Sequence, residues 1–166
     1  MKNLLLQYAE YNLWANNQIT EILNRLTEQQ LKQEFPSSFK SIFETVQHLC
    51  FAEELWYRRV KMKDTVTGHV NTEETPIALF GRWADCSAQW VKLLQSSHDA
   101  DFEKMIRYTN LKGIPFNQPL GQIMQHLFNH QTYHRGQLIT LLHLLGITQL
   151  PSTDFIVFAR NKLQNQ

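Results

Sequence analysis

The chain has 166 residues, 43% of them hydrophobic and 19% charged, with six Gly and five Pro; this suits one globular domain spanning residues 1–166, with no need of disulfide or metal staples. Sixteen basic residues against fifteen acidic ones leave a net charge of +1, and neither sign gathers into a run, so nucleic acid is not an expected partner. No stretch of about 18 apolar residues occurs, which excludes a spanning helix and a membrane partner, and no apolar leader with a small-residue cleavage site marks export.

Leu4, Tyr8, Tyr11, Ala15, Ile19, Ile22 and Leu26 recur at steps of three and four, which predicts a first long helix of about seven turns. Thr27 with Gln30 has the capping-box pattern and opens a short connector that Phe35 and Pro36 end. Ser41 with Glu44 forms a second box and opens a second long helix, from Ser41 to Met62, with Ile42, Val46, Leu49, Trp56 and Val60 on its apolar face. Thr75 and Pro76 suit the N-cap and first position of a third, which ends near Ser96.

Between Asp99 and Asn117 the period changes around Asn110 and Gly113, which predicts a short hairpin or an ordered loop. Pro119 then opens the longest pattern, with Leu120, Ile123, Met124, Leu127, Leu138, Leu141, Leu142 and Leu145 on one stripe and Gly146 placed to end it. Four amphipathic helices of similar length predict an all-α fold, a four-helix bundle with a short C-terminal appendage from Pro151. The connections are too long to reveal the order of helices around it.

His126, His130 and His134 stand four residues apart in the last long helix and line one side of it, since each step drifts only about 40° around the axis. His134 lies nearest the middle of the leucine stripe, His130 on its flank and His126 toward the edge. Two imidazoles one turn apart can share an ion, but a stable centre needs a third protein ligand. His48, at the edge of the apolar face of the second long helix, is the candidate. The other reading has these side chains as polar core residues bonded to neighbouring hydroxyls or carboxylates. His69 and His98 fall in expected loops, and His143 is read as a surface or capping residue near a helix C-terminus.

Two familiar metal arrangements do not apply. Gln131 stands where a zincin helix carries its glutamate, and Glu44 precedes His48 by four residues, where di-iron bundles need a Glu-x-x-His pair on each of two helices. Cys50 and Cys86 fall on different expected helices, as buried small hydrophobes in a reducing compartment would, and the expected location is the cytoplasm.

Three stretches carry a family likeness: Tyr11-Asn12-Leu13-Trp14-Ala15-Asn16; His48-Leu49 with Ala52, Glu53 and Trp56; and the run from His126 through His130, His134-Arg135-Gly136-Gln137 to Gly146 and Asp154-Phe155. On these the chain resembles the DinB-like (DinB/YfiT-type) four-helix-bundle proteins over nearly its full length. The resemblance implies that one His of the second long helix and the H-x-x-x-H of the last, here His48, His130 and His134, bind a divalent metal ion. Tyr133 replaces a His found in many members, at a position that is not a family ligand. Members with an assigned activity include thiol-dependent S-transferases and isomerases, so a low-molecular-weight thiol joins the expected cofactors.

The expectation is a metal-dependent transferase or hydrolase acting on a small-molecule substrate, with zinc or nickel foremost and iron, manganese or copper also compatible with three imidazoles. The alternative is a non-catalytic metal-binding protein induced by stress or DNA damage. Arg135 is expected to bond a carboxylate such as Glu53, Gln137 to orient a ligand imidazole, Asp154 to cap a terminal helix, and Gly136 to allow close approach of a backbone or ligand. The four tryptophans are read as core or dimer contacts, and the chain as a homodimer.

Overall fold

The structure, a computed structural model, describes residues 1–61 and 74–164. Its long helices are α1 (Lys2–Leu23), α3 (Ile42–Lys61), α4 (Pro76–Ser96) and α5 (Leu120–Leu144), with a short α2 (Glu28–Lys32) after α1 and a terminal α6 (Phe155–Gln164). The second long helix is followed to Lys61; Met62, its expected end, and the His69 loop lie outside the described residues.

The end signals act as their chemistry dictates. The Thr27 hydroxyl accepts the Gln30 backbone N–H while the Gln30 side chain takes the N–H of Thr27. Ser41 caps Glu44, whose carboxylate reaches back to the N–H of Lys40. Thr75 caps α4 through Ala78, with Pro76 at its first position. Gly146, at φ +83°, closes α5: its N–H bonds the carbonyl of His143 and that of Ile147 bonds Leu142, a left-handed C-terminal cap that glycine adopts without strain.

A 3-10 turn (Asp99–Glu103) leads into a hairpin of β1 (Met105–Thr109) and β2 (Pro115–Pro119), antiparallel with Tyr108 opposite Phe116. Asn110 makes its turn, its side chain accepting from the N–H groups of Lys112 and Ile114, and Gly113 sits at φ +78°. The expected hairpin is therefore present, and the 3-10 turn before it carries no periodicity that would have announced it.

Around the bundle the order is α1, α4, α3, α5. Lys2 reaches Gln95 and Asn16 reaches Ser87, so α1 and α4 are antiparallel; Glu54 meets Arg82 and Tyr57 meets Trp90, so α3 and α4 are parallel. His48 meets His130 and Trp56 meets His126, which makes α3 and α5 antiparallel. Parallel neighbours cannot be joined by a tight turn. The 14 residues between Lys61 and Pro76 can reach roughly 45 Å when extended, more than the roughly 31 Å length of α4. That requirement is why this connection is long.

The core is divided. Trp83, Ile19, Leu49 and Leu138 anchor one apolar cluster, and Trp90, Leu94, Met124 and Leu127 another. Between them lies a buried polar belt of Asn12, Asn16, Glu53, Ser87, Gln131 and Arg135. Leu4 and Tyr8, expected on the core face of the first helix, are 57% and 37% exposed. The face that turns inward there is Leu5, Ala9, Asn12 and Asn16, because α1 must present its two asparagines to the belt. Trp83 and Trp90 are core residues, as expected, while Trp14 and Trp56 are half-buried.

Candidate metal centre

Helix periodicity brings the histidines together. His130 and His134 lie on one side of α5 flanking Gln131, whose amide donates to the carbonyl of Leu49 at 2.9 Å and so fixes α5 against the turn of α3 that carries His48. The Nε2 atoms of His48 and His130 are 3.0 Å apart. Ring centroids are 4.6 Å apart for His48 and His134 and 4.5 Å for His130 and His134, and one ring nitrogen from each of the three falls within 4.8 Å of the others.

Neighbouring groups orient these rings. Gln137 accepts from Nδ1–H of His134 at 2.6 Å, which leaves the Nε2 lone pair free for a ligand bond; its amide nitrogen in turn donates to Tyr133 and Ser38. Phe39 stacks on His48 at 4.2 Å and meets His134 edge-on at 5.5 Å. His130 has a buried Nδ1 with no partner.

Burial, reinforced by the nearby His134, pushes His48 down to about 4, and His130 falls to about 4 for the same reason, with His134, His48 and His126 adding repulsion. Both are neutral at pH 7, the form in which imidazole offers a lone pair. Two nitrogens bound at about 2.0–2.1 Å to one tetrahedral ion stand roughly 3.3 Å apart, close to the spacing of His48 and His130. The three residues could hold a divalent ion, and among the described residues no carboxylate or thiol joins them.

The DinB family model matches residues 1–165. The chain belongs to the DinB family. It is 25% identical over 163 residues to protein DinB of Bacillus subtilis (strain 168), covering 93% of each chain. Its fold is that of a DinB-like protein (YjoA) of Bacillus subtilis, at TM-score 0.66 and 19% identity over 89% of this chain and 98% of the other. YfiT of Bacillus subtilis, described as a probable metal-dependent hydrolase with an unusual four-helix bundle topology, aligns at TM-score 0.65 and 12% identity over 88% of this chain and 90% of its own.

The histidine order in this DinB-family chain follows the periodicity: His134 is buried, His130 half-buried and His126 exposed, its ring against Trp56. His98 and His143 are exposed. Gln137 orients His134 as expected.

Two expectations are corrected. Arg135 does not bond Glu53 directly; it donates to the side-chain carbonyls of Asn12 and Asn16, whose amides donate to Glu53 Oε1 at 2.8 and 3.3 Å. The asparagines of α1 relay the attraction, their amide groups standing between the two charges. Of the two approaches expected at Gly136, that of a backbone is absent among the described residues, since an added Cβ would meet nothing within 4 Å, and the open space there leaves that of a ligand. The Asp154 carboxylate accepts from Ser152, and it is the Asp154 carbonyl that takes the first N–H groups of α6.

Phe39 went unnoticed because it sits in a polar loop without periodicity. Asn12 and Asn16 carried a signal, two amides one turn apart amid the apolar residues of α1.

Proposed function

We propose that His48, His130 and His134 hold one divalent metal ion, zinc or nickel foremost, in an enzyme that hydrolyses a small molecule or transfers a low-molecular-weight thiol to an electrophile. The observation that carries this reading is a donor set of three imidazoles that no fourth protein ligand closes among the described residues, since structural zinc sites are closed and catalytic ones keep a position open. A divalent ion held there supplies Lewis acidity and lowers the pKa of a water or thiol that completes its coordination. The chain's own groups set the stage. Gln137 fixes the His134 tautomer, Phe39 walls one side of His48 and His134, and the Tyr133 phenol, 64% exposed and bonded to Gln137, stands beside His134 as a donor to an incoming substrate.

The test is elemental analysis of protein purified without chelator or His tag, together with the His48→Ala, His130→Ala and His134→Ala variants. About one metal per chain in the parent, lost in each variant, is the expected result. A wild-type protein that neither carries nor takes up metal sinks the reading. With metal present, hydrolysis and thiol-transfer screens divide the two chemistries, and inactivity in both favours a non-catalytic metal-binding role.

A further inference from the structure

A second feature has no part in the histidine site. At the far end of α3 a cavity of about 670 Å³ opens between that helix and the hairpin, a volume within the range of small-molecule sites. Arg59 and Arg107 are in its wall, with Ile106, Tyr108, Phe116 and Asn117 among the other lining groups, and among the described residues no Asp or Glu lines it. Arg59 is 5% exposed. Its guanidinium lies 4.8 Å from the Trp56 ring and 5.0 Å from that of Tyr108, and Nη2 donates to the carbonyl of Thr109 at 2.7 Å.

Those contacts leave the cation short of partners. Among the described residues its buried Nε has no acceptor and no carboxylate pairs with it. Burial accordingly holds its pKa below the usual guanidinium value, with only the Tyr108 phenol opposing. A charge taken out of water without a counter-ion costs several kcal/mol, and a pair of rings returns only part of that. Arg107 adds a second, exposed cation opposite the neutral Asn117.

We propose that this cavity binds a small organic acid, its carboxylate held by Arg59 and Arg107 and its apolar body resting on Ile106 and Phe116. The planar guanidinium matches a carboxylate. A phosphate dianion costs more to desolvate against a wall that is otherwise largely apolar, so the singly charged carboxylate is the better match. The site is separate from the histidines: eleven residues of α3 place Arg59 roughly 16 Å along the axis from His48.

Calorimetric titration of the full chain with benzoate, phenyl phosphate and benzylamine tests the proposal. Benzoate is expected to bind saturably at one per chain, phenyl phosphate more weakly and benzylamine not at all. Arg59→Met, which keeps the length and apolar stem, should weaken benzoate about tenfold or more, and Arg107→Gln, at an exposed position, about threefold. The second variant decides the matter if the first does not fold. His48→Ala should bind benzoate as the parent does, so that failure of the metal reading leaves this one standing. Absence of saturable benzoate binding, tighter binding of phenyl phosphate, affinity unchanged in Arg107→Gln, or benzoate binding lost in His48→Ala would each overturn it.

Discussion

Two polar clusters meet on α3 and α5, the histidines confined to those two helices and a belt that also reaches α1 and α4. Glu53 and Arg135, with Asn12, Asn16 and Ser87, form a belt that is wholly buried; the Glu53 carboxylate takes both asparagines and the Ser87 hydroxyl, and Arg135 takes the asparagine carbonyls and Thr132. His48 and His130 are half-buried and His134 is buried; their nitrogens crowd together, and Nδ1 of His130 is unpaired among the described residues. A buried polar group costs free energy unless it is bonded. Apart from Gln131, whose buried Oε1 has no partner among the described residues, the belt meets that requirement from within the chain and joins all four long helices, so it is structural. The histidines do not, and that contrast is what supports the proposed metal site.

Breaking the belt should give the largest effect on stability. Glu53→Ala strips three donors of their acceptor and leaves Arg135 buried without an opposing charge, which should cost about 3–5 kcal/mol in urea denaturation, while whatever protein still folds takes up metal. Burial pushes Glu53 itself up to about 7, against the pull of its hydrogen bonds and Arg135, so Glu53→Gln should be far milder. An Ala variant as stable as the parent would show the belt to be dispensable.

The histidine cluster breaks differently. Gln137→Leu removes the acceptor that fixes the His134 tautomer and should weaken metal about 10–100-fold in competition with a chelator, with little change in folding. Unchanged affinity would mean that Phe39 and the helix alone orient the ring.

Acid separates the clusters by sign. His48 and His130 titrate near 4 in the folded chain and near 6.5 when unfolded, so the unfolded state takes up protons first. Their contribution is complete above about pH 6.5 and is lost as the pH falls toward 4. Metal-free parent protein should therefore lose stability across that window more steeply than a His48→Ala, His130→Ala double variant. Equal slopes would place the acid sensitivity elsewhere.

Much of this was legible in the sequence because it rests on short-range rules. The capping boxes at Thr27 and Ser41, Pro76, and the Gly146 cap depend on residues within a few positions of each other, and the i, i+4 spacing of His130 and His134 is local by construction. His48 needed a long-range contact, and its edge position was a fair pointer only because α3 and α5 pack antiparallel. The order α1, α4, α3, α5 was not legible, since long connections suit several arrangements equally. The Arg59 cavity was hidden for the same reason: it arises where a hairpin folds back over a helix some fifty residues earlier, and nothing near Arg59 in the chain announces Tyr108 or Thr109.

The smallest predicted effect sharpens the contrast at Gly136. Gly136 lies mid-helix between Arg135 of the belt and Gln137 of the histidine cluster, is exposed, and has φ in the helical range, so neither strain nor crowding requires glycine there. Alanine at an exposed helix interior is better than glycine by about 1 kcal/mol, and Gly136→Ala should raise stability by about that amount with metal affinity unchanged. If the space beside Gly136 receives substrate, the same variant should raise KM while leaving kcat near the parent value, because a methyl group there obstructs binding without touching the imidazoles. An unchanged KM would place the substrate on the Phe39 side of the centre instead.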